Sequence, residues 1–328
     1  MPKFTNNENL PIAVAVWLAH DDYDHDDDPY TISATTLLKP LKQIILSARV
    51  PEEDKPVDIS SLVKSRIGTA IHDSIEKVWV TRDKLVTALK ALGYKSRAIK
   101  RVVVNPKPEE LTPDCVPVYL ENRVKKKVGK WTVSGKYDFI VEGVVEDFKS
   151  TSTFTYTSGN KVDDYKRQGS LYRWLNPDVI TADYMHINFI FTDFSMGVAK
   201  RTPGYPSNQI VSQRITLEPV TTVQAFVERK LAQIESLFNA PEEQLPKCTD
   251  ADLWVDDPVY KYYKNPAKKA RATKNFDTLA EAQKRLADDN FVGVVEEVKG
   301  KVKACKYCSA FPVCQQKDEY IHNGRLEL

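Results

Sequence analysis

The sequence changes its hydrophobic period near Arg101, and this change constrains the fold more than any other feature. Before it, apolar residues recur at the three- and four-residue spacing of amphipathic helices. Beyond it the chain is rich in the β-branched and aromatic residues that favour strands, in segments 101–104, 117–128, 130–141 and 144–151. A block of strands between helical segments predicts one α+β core with helical additions at both ends.

Helices are predicted on both sides of the strand block. Ser33 can cap a helix that runs to about Leu46, and Thr81 starts a later one. Asp58 or Ser60 can cap a helix between them, and its apolar stripe predicts a place in the core: Val63, Ile67, Ile71, Ile75 and Val78. Further helices are expected over 163–175, 221–238 and 279–288, and further strands over 184–193 and 210–217.

Neither an internal repeat nor a low-complexity linker divides the 328 residues. We expect an acidic N-terminal segment (1–32), a core (33–240) and a C-terminal region with a cysteine cluster (241–328). The longest apolar stretches reach less than half of the ~20 residues that span a bilayer, and five cysteines are too few for a disulfide scaffold. A membrane or exported protein is not predicted, and the expected location is the reducing cytoplasm.

The net charge of +2 gives no reason by itself to expect nucleic acid as a partner. Its distribution is more informative, because six aspartates lie close together between Asp21 and Asp28. The remaining chain has 47 basic and 39 acidic residues, a formal charge of +8. The acidic run could mimic DNA or shield a site, but a solvated acidic loop is its ordinary explanation.

Two of the strands are predicted to form a hairpin that carries acidic residues. If Glu142 and Gly143 are its turn, Asp138 lies directly opposite Asp147. Paired carboxylates repel and destabilise a sheet unless a cation or a shared proton lies between them. Alternation along the strand puts Lys149 on the same face as Asp147. Two acids and an amine are thereby predicted around one point.

This group suits metal-assisted hydrolysis of phosphodiesters. Carboxylates bind hard divalent cations, which neutralise phosphate charge and activate water, while the ammonium of a lysine can orient that water. The alternative is a solvated strand face with unrelated charges, and the D-x8-D-x-K pattern alone does not decide between them.

Two helical segments carry further polar pairs. His72 and Glu76 share a helix face at i, i+4 spacing, and Gly68 one turn earlier leaves room for a ligand or another backbone. A lone helical histidine is more often structural, but beside the hairpin it is a candidate metal ligand. After the hairpin, Gln168 and Tyr172 lie one turn apart and can hydrogen-bond phosphate or base edges. An ordinary polar helix face is the alternative.

Taken in order, these motifs resemble the RecB-like branch of the PD-(D/E)XK nuclease superfamily, which includes AddB and the CRISPR-associated RecB-like nucleases. The resemblance covers about residues 33–175. It rests on G-x-x-x-H from Gly68, an isolated Asp138, D-x-K from Asp147 and Q-x-x-x-Y from Gln168. Tyr137 stands where the superfamily name places proline, a frequent change in this branch. Segments such as 32–40 and 248–254 are similar to phage-encoded members.

The resemblance implies a restriction-endonuclease-like core, in which helices flank a mixed central sheet. It also implies a Mg²⁺- or Mn²⁺-dependent DNA nuclease, an exonuclease acting at DNA ends, which could work with a recombination or single-strand-annealing protein. By this resemblance His72, Asp138, Asp147 and the Phe148 carbonyl bind the metal, Lys149 positions the attacking water, and Gln168 and Tyr172 contact DNA or brace the site. Glu76 could act through a water. The alternative is a DNA-binding or recruitment module that keeps the fold without cleaving.

A cluster of cysteines lies near the C-terminus, with the spacing Cys305-x2-Cys308-x5-Cys314. Three thiolates so spaced can meet at one metal centre. We expect Cys248 to be the fourth ligand, with Cys115 as the alternative. Four thiolates suit a [4Fe-4S] cluster or structural zinc, and the spacing alone does not decide. The resemblance favours iron-sulfur, although the first helix has no cysteine where iron-sulfur members of the family carry one.

Two basic segments are candidate contacts for nucleic acid. Lys125, Lys126 and Lys127, with Lys130 and Lys136 nearby, lead toward the acidic hairpin and could bind phosphates. A solvated edge strand protected by lysines explains them equally well. The run 261–274 interleaves basic residues with two tyrosines and suits a strand-binding surface with aromatic stacking, or a plain surface.

Overall fold

A computed structural model describes residues 4–20, 28–51 and 57–327. The chain divides into two compact units, a first unit of residues 1–38 with 56–232 and a second unit of residues 39–55 with 233–328. Most of the acidic run, residues 21–27, lies outside the described residues. The functions expected of segments 33–240 and 241–328 stay predictions.

The described residues form twelve strands and twelve helices. The strands are β1 (Phe4–Thr5), β2 (Thr31–Ser33), β3 (Val57–Asp58), β4 (Val102–Val104), β5 (Val116–Val128), β6 (Trp131–Val141), β7 (Val144–Thr151), β8 (Tyr184–Phe191), β9 (Ile210–Thr216), β10 (Val259–Tyr263), β11 (Lys274–Phe276) and β12 (Val294–Val298). The helices are α1 (Ile12–Ala19), α2 (Ala34–Leu37), α3 (Leu41–Ser47), α4 (Val63–Val80), α5 (Arg82–Ala91), α6 (Ser96–Arg101), α7 (Thr153–Ser158), α8 (Val162–Leu175), α9 (Met196–Ala199), α10 (Val220–Leu237), α11 (Leu279–Asp288) and α12 (Gln315–His322). The strand block and the helices predicted over 163–175, 221–238 and 279–288 are confirmed to within a few residues.

A mixed sheet of seven strands organises the first unit, in the order β4-β5-β6-β7-β8-β9 with β2 added beside β6. Antiparallel pairs join β5 to β6, β6 to β7 and β8 to β9, whereas β7 and β8 are parallel and joined through α8. The expected mixed α+β class is confirmed. A PD-(D/E)XK core stays a prediction.

The acidic hairpin forms with the predicted turn and register. Glu142 and Gly143 have φ of 49° and 78°, the two left-handed residues of a tight hairpin turn. The ladder between β6 and β7 extends from Val141–Val144 to Phe139–Glu146. Nearer its start, β6 instead pairs in parallel with β2, from Thr31–Thr132 to Ser33–Ser134. The strands β6 and β7 therefore separate next to Asp138.

Helix α8 packs on the sheet and carries much of the buried core of the first unit. Leu171 and Trp174 on this helix are buried, as are Met185 and Phe189 on β8. A Cβ atom at Gly169 would lie 2.1 Å from the sulfur of Met185, so the helix approaches the sheet closely only because this residue is glycine. Each large apolar side chain buried here contributes about 1.5–3 kcal/mol to folding.

The prediction of one helix over 33–46 is wrong in its middle. Ser33 caps α2 as expected, because its Oγ accepts a hydrogen bond from the Thr36 amide at 3.0 Å. The helix ends at Leu37, and α3 begins at Leu41. Pro40 causes the break, since proline lacks an amide hydrogen and disfavours helical geometry in the residue before it.

The prediction that α4 is a core helix is also wrong. The helix forms over Val63–Val80, but none of its residues is buried, and Ile67 and Val78 remain 38% and 37% exposed. Asp58 caps the short 3-10 turn before the helix, accepting a hydrogen bond from the Ser60 amide at 3.0 Å. The periodic stripe correctly placed apolar residues on one face, but periodicity does not tell what covers that face.

The second unit contains a three-stranded antiparallel sheet in the order β11-β10-β12, packed against α11. The stacking surface predicted for 261–274 is wrong, because Tyr262 and Tyr263 on the central strand β10 are 0% and 6% exposed. The Tyr262 hydroxyl donates a hydrogen bond to Asp289 at 2.6 Å. Both rings belong to the core of this sheet and are not available to bases.

The helices of the described residues are all too short or too polar to cross a lipid bilayer.

Candidate active site

A cleft of ≈ 680 Å³ opens in the first unit where β6 separates from β7. Helix α4 forms one wall, from Lys64 to Asp73, and β6 and β7 supply the floor and the other wall. Asp138, Phe148 and Lys149 line it, as expected for the acidic hairpin. The glycine at position 68 faces β7, because a Cβ atom there would lie 3.3 Å from Ser150 Oγ. The small residue thus permits the helix to approach the strand.

Three side chains in this cleft converge as a potential metal site. One ligand atom each of His72, Glu121 and Asp138 lies within 4.8 Å of the other two. His72 Nδ1 is 3.6 Å from Glu121 Oε1 and 3.6 Å from Asp138 Oδ1. The other ring nitrogen, Nε2, is 3.0 Å from the Phe148 carbonyl oxygen. A proton on Nε2 donated to that carbonyl would leave Nδ1 as the nitrogen that faces the carboxylates.

Glu121 was not predicted from the sequence. The β5–β6 ladder pairs Leu120 with Phe139 and Asn122 with Tyr137, so Glu121 lies opposite Asp138. Its φ of 47° is left-handed, which costs a non-glycine residue about 1–2 kcal/mol. The sequence could have predicted it, because a turn at residues 129 and 130 between β5 and β6 sets a register that brings Glu121 opposite Asp138.

Asp147 and Lys149 form a second part of the site. Asp147 is 1% exposed, and its Oδ2 is 2.7 Å from Lys149 Nζ. Gln168 Nε2 is 3.4 Å from Asp147 Oδ1 and donates to the Tyr172 hydroxyl at 2.8 Å. The predicted pair on α8 therefore lies against the acidic hairpin. Asp147 is not a member of the His72, Glu121 and Asp138 group in the described residues, and its role as a metal ligand stays a prediction.

Phe148 connects the two parts through its backbone. Its amide donates a hydrogen bond to Asp138 Oδ2 at 3.1 Å, and its carbonyl contacts His72. Its ring packs edge-on against the rings of His72 and Phe139. The predicted residues His72, Asp138, Phe148, Lys149, Gln168 and Tyr172 thus come together in one place with Asp147. Glu76 is not among the residues that line the cleft.

The charges of the site are strongly coupled. Burial and the charge of Asp147 raise the pKa of Asp138 to about 6. A hydrogen bond with Glu121, opposed by burial and assisted by Asp138, raises the pKa of His72 to about 9. Burial lowers the pKa of Lys149, but the carboxylates of Asp147 and Asp138 outweigh it, and the net direction is upward. All three pKa values are raised, as expected where several carboxylates lie close together in a site with little solvent.

A divalent cation fits this arrangement. The donor set of one imidazole nitrogen and carboxylate oxygens is one that Mn²⁺ or Mg²⁺ accepts, with the Phe148 carbonyl as a further oxygen nearby. Burial, and after it the charge of Asp147, raises the pKa of Asp138, so both disfavour its ionised form. A bound cation would favour that form.

The cysteines of the second unit also lie near one another. Burial raises the pKa of Cys248 to about 12, and the charges of Cys314 and Cys308 contribute. Burial likewise raises the pKa of Cys305 to about 11, again with contributions from Cys308 and Cys314. Cys248 packs against the buried cluster that contains Cys305, but the four cysteines are not among the described groups whose ligand atoms all lie within 4.8 Å of one another. Cys115 belongs to the first unit. Ligation by Cys248 stays a prediction.

Local contacts hold Cys248 beside the C-terminal triplet. Its amide donates to Gln316 Oε1 at 2.9 Å, and Gln316 Nε2 donates to the Cys248 carbonyl at 3.0 Å. Glu242 accepts hydrogen bonds from the amides at the start of α12 and pairs with the buried Lys42 at 3.1 Å. Cys314, at the N-cap of α12, is therefore fixed at the end of a well-anchored helix.

No protein-family model and no curated protein matches this chain. Among solved structures, the crystal structure of SSO0001 is 17% identical, with a TM-score of 0.37 over 70% of this chain and 83% of that one. A phage related exonuclease from Haemophilus somnus 129PT is 14% identical, with a TM-score of 0.25 over 37% of this chain and 60% of that one. Similarities at this level do not establish a shared function.

Proposed function

We propose that this chain is a divalent-metal-dependent nuclease that hydrolyses phosphodiester bonds in DNA. The observation that carries the proposal is the convergence of His72, Glu121 and Asp138 within 4.8 Å, next to the ion pair of Asp147 and Lys149. Charged groups with perturbed pKa values that converge in a cleft are typical of functional sites.

His72, Glu121 and Asp138 would hold the metal, and the resemblance to RecB-like nucleases adds Asp147 and the Phe148 carbonyl. When bound, Mg²⁺ or Mn²⁺ supplies Lewis-acid charge to the phosphate and lowers the pKa of a bound water. Phe148 positions two of these groups at once, because its amide and its carbonyl contact Asp138 and His72.

Lys149 is the group that can act on the reacting atoms without being a ligand. Its ammonium lies 2.7 Å from Asp147 and lines the cleft, so it stays protonated and can donate to a water or to a phosphate oxygen. Asp147 orients it. Gln168 contacts Asp147 from α8, and Tyr172 accepts a hydrogen bond from Gln168. This chain of contacts holds the carboxylate in place.

The finer assignment is an exonuclease that acts at DNA ends during recombination or DNA processing. It is supported by the ordered motifs that resemble the RecB-like branch, including those similar to phage-encoded members. A single-strand-annealing or recombination protein is the partner expected for such an enzyme.

Cleavage of labelled DNA tests the proposal. Single-stranded and duplex oligonucleotides and closed circular single strands should be incubated with the full chain in Mg²⁺, Mn²⁺ or EDTA. We expect cleavage of the linear DNA with metal and none in EDTA, and loss of cleavage with retained DNA binding in Asp147→Ala and Lys149→Ala. Lys161→Ala, on the surface near α8, is the matched control. Wild-type cleavage by Asp147→Ala would refute the assignment, and cleavage of circles would refute an exonuclease.

For the second unit we propose that Cys248, Cys305, Cys308 and Cys314 bind one [4Fe-4S] cluster, with structural Zn²⁺ as the alternative. The packing of Cys248 against the cluster that contains Cys305 and the anchoring of Cys248 to α12 support it. Chain purified without oxygen should contain about four irons and four sulfides per molecule. One equivalent of zinc without iron would keep the four-cysteine site and eliminate the cluster.

A further inference from the structure

A row of basic side chains on β5 leads away from the candidate metal site. Alternation along the strand places Arg123, Lys125 and Lys127 on one face, and Glu121, whose backbone is left-handed, contacts the same face through Lys136. The contacts agree with this, because Lys136 pairs with Glu121 at 2.6 Å and Arg123 donates to Ser134 Oγ at 3.3 Å. Glu121, Ser134 and Lys136 line the cleft. The row therefore begins at the metal group itself.

Lys126 lies between the members of this row in sequence but points to the other face. Its Nζ donates to the Trp174 carbonyl at 3.0 Å and lies 4.4 Å from the centre of the Trp174 ring. Of the three consecutive lysines, Lys125 and Lys127 are exposed, whereas Lys126 is half-buried against α8. The three consecutive lysines therefore occupy two different environments.

The row has the dimensions of a path for several phosphates. Residues two apart on a strand are separated by about 6.6–6.8 Å, so the cations from Arg123 to Lys127 extend over about 13 Å. The register sets Lys125 opposite Ser134 and Lys127 opposite Thr132, whose short side chains leave the lysines prominent. Lys130 follows at the hairpin tip, where it lies 5.1 Å from the Tyr30 ring.

The cleft favours a single strand over a duplex. Its volume of ≈ 680 Å³ is within the range of pockets that hold small ligands. The side chains of His72, Glu121 and Asp138 are only 25%, 17% and 16% exposed at its floor. A phosphate must enter the cleft to reach them, and a flexible single strand does this without unpairing bases.

We propose that the substrate reaches the metal site as a single strand, with its phosphates bound by Arg123, Lys125 and Lys127 along one face of β5. This inference rests on the proposed nuclease function for the role of the metal site. The strand-binding row itself does not depend on catalysis. Duplex DNA would then be degraded from an end that carries a single-stranded extension.

Binding of a fluorescent oligothymidylate to the full chain in EDTA tests the row separately from cleavage. We expect Lys125→Gln/Lys127→Gln to weaken binding at least tenfold at low salt. The slope of log K against the logarithm of the salt concentration should become shallower by about 1.4, the value for the loss of two phosphate contacts on a single strand. Lys126→Gln removes one positive charge, from the opposite face, and should bind within about twofold of wild type. Lys95→Gln/Lys100→Gln is the control for two exposed lysines elsewhere.

The outcomes separate this inference from the function. The row does not bind the strand if Lys125→Gln/Lys127→Gln binds as tightly as wild type, or if Lys95→Gln/Lys100→Gln loses as much affinity. Either result would contradict the inference whether or not the wild type cleaves DNA. The alternative is that these lysines only prevent the edge of the strand from pairing with another strand. Glutamates would do this equally well, so on that alternative Lys125→Glu/Lys127→Glu would bind the oligothymidylate as wild type does. A chain that binds through the row but never cleaves would refute the nuclease alone. Equal cleavage of blunt and tailed duplexes would overturn the single-strand path.

Discussion

At the scale of residues, the candidate site is governed by three carboxylates held near one another. Glu121 and Asp138 face His72, and Asp147 faces Lys149. In the metal-free chain, the proton on His72 supplies part of the charge that a divalent cation would bring. The proton and the metal should therefore compete, because a metal-bound imidazole nitrogen must be unprotonated.

We expect Mn²⁺ affinity to rise about tenfold between pH 7 and pH 8, because His72 has a pKa of about 9 and must lose its proton on binding. Titration calorimetry in two buffers of different ionisation enthalpy would measure the released proton. In His72→Gln the rise should flatten and the proton release should fall. An unchanged pH dependence in that variant would contradict the assignment of His72 as a ligand.

Asp138→Asn should stabilise the metal-free chain at pH 7–8 by on the order of 1 kcal/mol and abolish stabilisation by Mn²⁺. The folded-state pKa of about 6 is above the unfolded value of 3.8, so the native state binds more protons and wild-type stability falls as pH rises from about 4 to 6. The gain should therefore vanish near pH 4. Thermal unfolding in EDTA measures it, with Asp163→Asn on the first turn of α8 as the control. A destabilised Asp138→Asn at pH 8 would show that the carboxylate is not under repulsion.

At the scale of elements, the hairpin of β6 and β7 and the helix α8 position the site. The hairpin turn sets the register that brings Asp138 near Asp147, and the change of partner from β7 to β2 opens the cleft beside them. Helix α8 then supports Asp147 from the other side through Gln168.

Gly143→Ala should cost more stability than Gly159→Ala, although both glycines have positive φ, 78° and 65°. A Cβ atom at Gly143 would lie 2.1 Å from Thr181 Oγ1, whereas none of the described atoms lies within 4 Å of one at Gly159. We expect about 1 kcal/mol for the left-handed strain at Gly159, and at least 2 kcal/mol at Gly143. Urea unfolding would measure both. Equal losses would mean that Thr181 moves aside without cost.

Gln168→Ala and Tyr172→Phe should reduce single-turnover cleavage by roughly tenfold, less than loss of a metal ligand. They hold Asp147 through hydrogen bonds and do not bind the metal, and Tyr172 is 4% exposed. Rates at saturating enzyme separate this role from DNA binding, and Mn²⁺ affinity should stay near the wild-type value. Wild-type rates in both variants would show that Gln168 and Tyr172 have no role in cleavage.

At the scale of the whole molecule, the two units carry different chemistry. The group of His72, Glu121 and Asp138 lies in the first unit, and Cys248, Cys305, Cys308 and Cys314 lie in the second. Cys305 is buried and the other three are half-buried, so a metal bound by these thiols would displace their protons and would be expected to stabilise the fold of the second unit.

Replacing Cys248, Cys305, Cys308 or Cys314 by serine should each remove the bound metal and lower solubility and melting temperature. Cys115→Ser should keep the metal content of wild type and is the matched control. Elemental analysis and thermal unfolding of the chain purified without oxygen measure both effects. Metal loss in Cys115→Ser with retention in Cys248→Ser would make Cys115 the fourth ligand.

The sequence by itself determined the local structure and much of the site. The turn at Glu142 and Gly143, the register of the hairpin and the placement of Lys149 beside Asp147 follow from short-range rules of period and turn chemistry. The helix containing Gln168 and Tyr172 could be placed in the same way. These features depend on residues close together in the chain, so local preferences are sufficient to specify them.

Only the tertiary structure decided which distant groups meet and what covers each face. The strand register brings Glu121 opposite Asp138, but His72 joins them from a helix that begins far earlier in the chain. The half-exposed state of α4 and the packing of Lys126 against Trp174 were also decided there. The physical reason is that a period shows which residues share a face, whereas burial depends on the packing free energy of elements that the sequence keeps apart.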